Sequence, residues 1–173
     1  MYKRFIKPVF IGIIGLSVLV TLISLLLPSE VHGRRGIVIN ADKKMIMEQI
    51  LDCSNWKHWQ PNFMTDSLLV VTDAYGDAVI DHNGKKDFYK KKPGSVSDSS
   101  ATFIQSREGE NDVVHIFTLT KDAATNGTYA DWKFITHLKW YPWEKFSGFF
   151  TESFTAPGME QGLENLKKKA EGH

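Results

Sequence analysis

The sequence predicts an α+β fold in which a curved seven-stranded antiparallel sheet wraps a long C-terminal helix, with a separate apolar helix preceding the domain. Three observations predict it. Residues 9–27 carry no charge, residues 68–141 hold six β-branched and aromatic runs separated by turn signals, and residues 143–171 return to a helical period. The chain has 173 residues, so one domain of ordinary size remains beyond the apolar segment. With 21 basic and 20 acidic side chains and a net charge of +1, it is not a nucleic-acid binder held by bulk charge. Cys53 is the single cysteine, which excludes an intrachain disulfide and any Cys-pair zinc or iron-sulfur site.

The apolar segment at 9–27 is interrupted only by Gly12, Gly15, Ser17, Thr21 and Ser24. As a helix rising about 1.5 Å per residue it spans roughly one hydrocarbon core. Lys3, Arg4 and Lys7 precede it and Pro28, Ser29 and Glu30 follow. The reading is a basic cytoplasmic tail at 1–8, a transmembrane anchor at 9–27, a stalk at 28–33 and a folded domain at 34–173 on the far side. Arg34 and Arg35 beyond the segment keep the charge asymmetry modest. A cleaved signal peptide is the competing reading, through the small residues around Val31-His32-Gly33, but the apolar run exceeds the roughly 7 to 15 residues of a signal core. Ser17 and Thr21 have the small-xxx-small spacing that lets membrane helices approach closely; a single such pair also suits a lone helix facing lipid.

Residues 36–40 (GIVIN) predict the first strand. Asp42 then caps a helix with apolar positions at Met45, Ile46, Ile50 and Cys53. Residues 55–60 read as one more helical turn, stopped by Pro61. Strands follow at 68–72, 77–82, 86–90, 99–107, 112–120 and 128–141, with turns at Gly76, Asn83-Gly84, Pro93-Gly94, Gly109 and Asn126-Gly127. Asn126-Gly127-Thr128 also matches a glycosylation acceptor, but it is equally a hairpin turn with Gly at the strained position. In the last strand Ala130, Trp132, Phe134, Leu138 and Trp140 alternate with Tyr129, Asp131, Lys133, His137 and Lys139, giving one buried and one wet face. The C-terminal helix carries Phe146, Phe149 and Phe150, then Met159, Leu163, Leu166 and Ala170, with Pro157-Gly158 as a kink or a restart. A sheet curved over one helix leaves an apolar cavity between them.

Two stretches carry a family likeness: 34–61 (RRGIVINADKKMIMEQILDCSNWKHWQP) and 129–171 (YADWKFITHLKWYPWEKFSGFFTESFTAPGMEQGLENLKKKAE). The first resembles the opening strand, Asn-Ala corner and Trp-x-x-Trp segment of the START-like, birch-pollen-allergen-like superfamily (SRPBCC). The second resembles its final strand and its Asn-Leu-Lys-bearing helix. The leader is similar to that of the membrane-anchored bacterial members labelled polyketide cyclase or dehydrase. Together the two stretches cover about half of the folded domain. The middle, 63–126, departs from the pattern, being Lys- and Ser-rich where relatives are Gly-rich. The resemblance implies a helix-grip fold with a hydrophobic ligand cavity, held at the bacterial inner membrane with the domain on the periplasmic or extracellular side. The cyclase label is a family name and not evidence of catalysis.

Candidate ligand-binding residues are Trp56, Trp59, His115, Phe117, Trp132, Phe134 and Phe150. Trp56 and Trp59 lie three apart and share a helical face, so they either plug one end of the cavity or wedge the short helices under the long one. His115 alternates with Val113, Phe117 and Leu119 and so points inward, as a pocket-edge histidine or as an acid or base. A metal site is not expected, because the six histidines are scattered without HxxxH or HExxH spacing; no cofactor is expected either. Lys85, Lys86, Lys90, Lys91 and Lys92 around Phe88 and Tyr89 read as a headgroup-touching hairpin or as a lysine-protected sheet edge. The expected function is a membrane-tethered binding module for a small hydrophobic ligand, a lipid or polyketide-like molecule, with no nucleic acid. The alternatives are a cyclase or dehydratase pairing His115 with an acid such as Asp81, and an interaction domain whose cavity is filled by side chains.

Overall fold

The computed structural model describes residues 3–64, 69–72, 77–82 and 85–172. Helix α1 (Lys3–Leu25) leads into strand β1 (Glu30–Ile39), helix α2 (Lys43–Leu51) and two short 3-10 turns, Cys53–His58 and Pro61–Phe63. Strands β2 (Leu69–Thr72), β3 (Ala78–His82), β4 (Lys85–Lys91), β5 (Ser100–Arg107), β6 (Val113–Lys121) and β7 (Thr128–His137) follow, and helix α3 (Pro142–Glu171) ends the chain. The strands form one antiparallel sheet in the order β1-β7-β6-β5-β4-β3-β2, so β1 is brought back beside the last strand. Leu68 and the turns expected at Gly76 and Asn83-Gly84 lie outside the described residues.

Helix α1 contains an apolar window, Lys7–Leu25, long and apolar enough to cross a membrane. Its outer side chains are exposed, but Ser24 at its C-terminal end is fully buried. The stalk expected at 28–33 is largely strand instead. Glu30 already pairs with His137 and Gly33 with Phe134, because the six residues before Gly36 extend the β7 ladder.

One face of the sheet is apolar and takes α2, the 3-10 turns and α3. On β7, Thr128, Ala130, Trp132, Phe134 and Thr136 are buried in strict alternation. The strand stops at His137, so Trp140, expected on the buried face, is exposed. α3 is a single helix through Pro157 rather than two pieces. Its large buried apolar side chains, Met159, Leu163, Leu166 and Ala170, lie in the second half, while the first half buries Lys145, Gly148 and Ala156. Gly162 sets the approach: a Cβ there would sit 3.1 Å from the Trp132 ring and 3.3 Å from Pro61. In α2, Ile46, Met47 and Ile50 are buried and Met45 is exposed, so Met47 takes the place expected for Met45. At the β6–β7 turn Asn126, not Gly127, adopts the left-handed conformation (φ 59°). Gly127 is needed for closeness, since a Cβ would approach the Ile39 carbonyl to 2.8 Å. Strand β4 pairs with β3 on one side and β5 on the other, so its lysines do not guard an edge.

Candidate functional site

Helix α3 crosses the sheet close to Trp132 and leaves a cleft beside it. The cleft has a volume of about 210 Å³ and lies between β6, β7 and the middle of α3. Val113, His115, Trp132 and Phe134 supply the sheet wall, Phe154 and Met159 the apolar part of the helix wall. Gln60, Asn62, Thr136, Thr151 and Thr155 add polar groups, and Gly158 leaves open space where a side chain would project.

Of the seven predicted binding residues, His115, Trp132 and Phe134 meet at this cleft. Trp56, Trp59 and Phe117 do not line it. They belong to a closed aromatic core in which Trp56 contacts Phe63, Tyr89 and Phe103, and Trp59 packs edge-on against Phe117 and Trp132. Both indole N–H groups are held by the backbone, Trp56 Nε1 donating to the Ile50 carbonyl at 2.8 Å and Trp59 Nε1 to the Gln49 carbonyl at 3.3 Å. Asn165 of α3 in turn donates to the Trp59 carbonyl. The pair therefore wedges the short helical turns beneath α3. Phe150 is 61% exposed on the outer side of α3 and is no cavity wall. Gln60, Asn62 and the α3 threonines were not legible as lining residues, because α3's position over the sheet decides which of its polar side chains face inward.

The chemistry at the cleft floor is set by hydrogen bonds that admit one assignment. Trp132 Nε1 can only donate, and it donates to His115 Nδ1 at 3.2 Å. A neutral His115 must then carry its proton on Nε2, which donates to Gln105 Oε1 at 3.0 Å. Gln105 Nε2 lies 3.4 Å from Asp87 Oδ2, an acceptor-only carboxylate, so the amide orientation is fixed from the other end. Asp87, buried beneath the sheet on β4, is gripped by Nε and Nη2 of Arg107 in the facing register position of β5. That grip, chiefly the Asp87 hydrogen bond, raises the Arg107 pKa further above its ordinary value.

Protein atoms crowd the His115 ring, while one edge stays open to the cleft, so the residue is half-buried. Desolvation pushes its pKa down to about 4. A second ring proton would also face the Trp132 N–H head-on. At neutral pH His115 is therefore an uncharged ring with both nitrogens committed to Trp132 and Gln105. Neither of these two partners of the ring nitrogens is a carboxylate. Among the described residues there is also no group of three or more His, Cys, Asp or Glu side chains placed to hold a metal ion. Cys53 is buried and its thiol is pushed up to about 12, chiefly by desolvation.

No family model matches the chain, and no curated protein matches it. Solved structures do. The protein of unknown function SA2116 from Staphylococcus aureus superposes with a TM-score of 0.61 at 14% identity, covering 86% of this chain and 97% of that one. Protein CV1439 from Chromobacterium violaceum gives 0.58 at 14% identity, covering 82% and 98%. The di-domain ARO/CYC BexL from the BE-7585A biosynthetic pathway gives 0.59 at 12% identity, covering 84% of this chain and 51% of that one. At these identities the likeness shows the fold alone, an antiparallel sheet gripping a long C-terminal helix.

Proposed function

We propose that the protein is a membrane-tethered member of the START-like class that holds a small apolar molecule in the cleft between β6, β7 and α3. The observation that carries this reading is the cleft itself, about 210 Å³ with Trp132, Phe134, Val113 and Met159 as apolar walls and hydroxyl and amide groups at its margin. That volume lies below the roughly 300 Å³ of ordinary ligand sites. The ligand is accordingly short: an acyl fragment or a single-ring metabolite rather than a fused polyketide. With both His115 nitrogens committed to Trp132 and Gln105, its open edge adds uncharged C–H surface to the cleft and suits an apolar part of the ligand. Helix α1 is the anchor in the bacterial inner membrane, with Lys3, Arg4 and Lys7 on the cytoplasmic side and the domain on the other.

A second reading has its own support. The tightly packed aromatic core of Trp56, Trp59, Phe63, Tyr89, Phe103 and Phe117 fills much of the space under the sheet. On that reading the chain is an interaction domain and the cleft is residual space. Native mass spectrometry of the full chain, released from membranes and then challenged with a lipid and metabolite extract, separates the two. A retained apolar molecule supports the binding module; a persistent apo mass supports the interaction domain.

A further inference from the structure

The outer face of α3 changes character halfway along the helix. Trp143, Phe146, Phe150 and Phe154 recur at spacings of three and four and form one stripe, directly opposite the face that buries Lys145, Gly148 and, further on, Met159 and Leu163. Trp143 is 70% exposed and Phe154 81%. Phe149 and Trp140 widen the patch, and Tyr141 stacks on Trp143 at 5.0 Å. The nearby carboxylates are turned away: Glu144 accepts from the Lys139 amide and Asn111, and Glu152 from Arg35. Beyond Phe154 the same stripe continues as Gln161, Glu164 and Lys168. A contiguous aromatic patch of this kind on an otherwise polar domain marks an interaction surface.

What lies against it follows from where α1 ends. Helix α1 packs on α3, and Ser24, in the last turn of α1, is fully buried. Lys145 is also buried; its Nζ donates to the Pro28 carbonyl at 3.2 Å, to Leu27 at 3.5 Å and to Ser29 Oγ. This cation caps the chain where it leaves the apolar helix and sits one turn before Phe149. If α1 spans a bilayer, the first half of α3 is held at the level of the headgroups, where Trp and Phe are favoured. Phe154 and Thr151 belong both to this half and to the cleft rim.

We infer that the Trp143–Phe154 face of α3 is embedded in the outer surface of the bilayer that α1 crosses, so that the cleft opens onto lipid and takes its ligand from the membrane. This rests on the reading of α1 as an anchor. The occupant is the hydrocarbon–headgroup boundary, whose depth suits a stripe of Trp and Phe side chains.

The test uses the full chain in phosphatidylcholine vesicles, with an environment-sensitive thiol probe at Phe150→Cys, Phe154→Cys, Lys168→Cys or Leu16→Cys. The buried Cys53 thiol stays unlabelled. The expected result is that spin-labelled lipid quenches the probes at 150 and 154 several-fold more than the one at 168, while aqueous iodide shows the reverse order. If iodide reaches 150 and 154 as readily as 168 while the probe at 16 is quenched by lipid, the embedding is refuted and the anchor stands. If the probe at 16 is not quenched by lipid, the anchor falls and the embedding with it. If neither quencher reaches 150 and 154, a second copy of the protein covers the patch and the embedding is overturned.

Discussion

His115 gives the sharpest quantitative test of the site. In the unfolded chain an imidazole takes its proton near pH 6.5, whereas in the fold desolvation holds it off until about pH 4. Between those values the unfolded state binds more protons, so stability falls as pH falls. The contribution is complete above about pH 6.5, is lost by at most about 1.4 kcal/mol per pH unit below it, and stops changing near pH 4. Over the whole window this is up to about 3 kcal/mol, and nearer 2 because one ring edge faces the open cleft. The perturbation is His115→Gln, which does not titrate yet can accept from Trp132 and donate to Gln105. Asp122, whose pKa is lowered chiefly by its Thr125 hydrogen bond, also loses stabilisation on acidification, so the difference between the two proteins is the observable. Urea unfolding of both in lipid nanodiscs, followed by tryptophan emission from pH 7.5 to 4, supplies it. The wild type should lose about 2 kcal/mol relative to the variant across that range. Parallel curves would refute the assignment of His115 as a desolvated, neutral ring.

Trp132→Phe keeps the stack on Phe117 (5.1 Å between rings) but strips His115 Nδ1 of its donor; it should cost about 1–3 kcal/mol in the same unfolding assay. Trp132→Ala, by contrast, should cost about 3–5 kcal/mol, because this residue is core as well as wall. Arg107→Met leaves the buried Asp87 carboxylate without its bidentate partner and should destabilise by about 3 kcal/mol in the same unfolding assay at neutral pH. Lys145→Met leaves the Leu27 and Pro28 carbonyls uncapped, so cleavage between α1 and β1 by an added protease should accelerate while the melting of the sheet changes little.

Much of the fold was legible because its signals are local. The period-two alternation of β7 and the turn residues Gly94 and Gly109, both at positive φ, fix strand positions without reference to the rest of the chain. Where β7 stops was not legible: Trp140 continues the alternation in sequence, but the ladder with β1 ends at the Glu30–His137 pair. For the same reason sequence alone puts the start of the domain at Arg34, although polar residues such as Glu30 and His32 pair along a strand as well as apolar ones do. The site was only partly readable. His115, Trp132 and Phe134 are set by strand parity, which sequence shows; Trp56, Trp59 and Phe117 have the right polarity but lie behind the wall, a distinction that depends on where α3 crosses. Phe150 was misplaced because one helix carries two apolar faces, an inner one in its second half and an outer one in its first.

The claim that the cleft holds a ligand is tested most directly at Gly158, which lines it and where an added Cβ meets nothing within 4 Å. Gly158→Leu should fill the cleft without strain and improve helix propensity by about 1 kcal/mol. The measurement is mass spectrometry of the organic extract from equal amounts of wild type and variant purified side by side. An apolar molecule should be carried by the wild type and missing from a variant that melts at the same temperature or higher; the same molecule at the same level in both would show that the cleft is not where it binds.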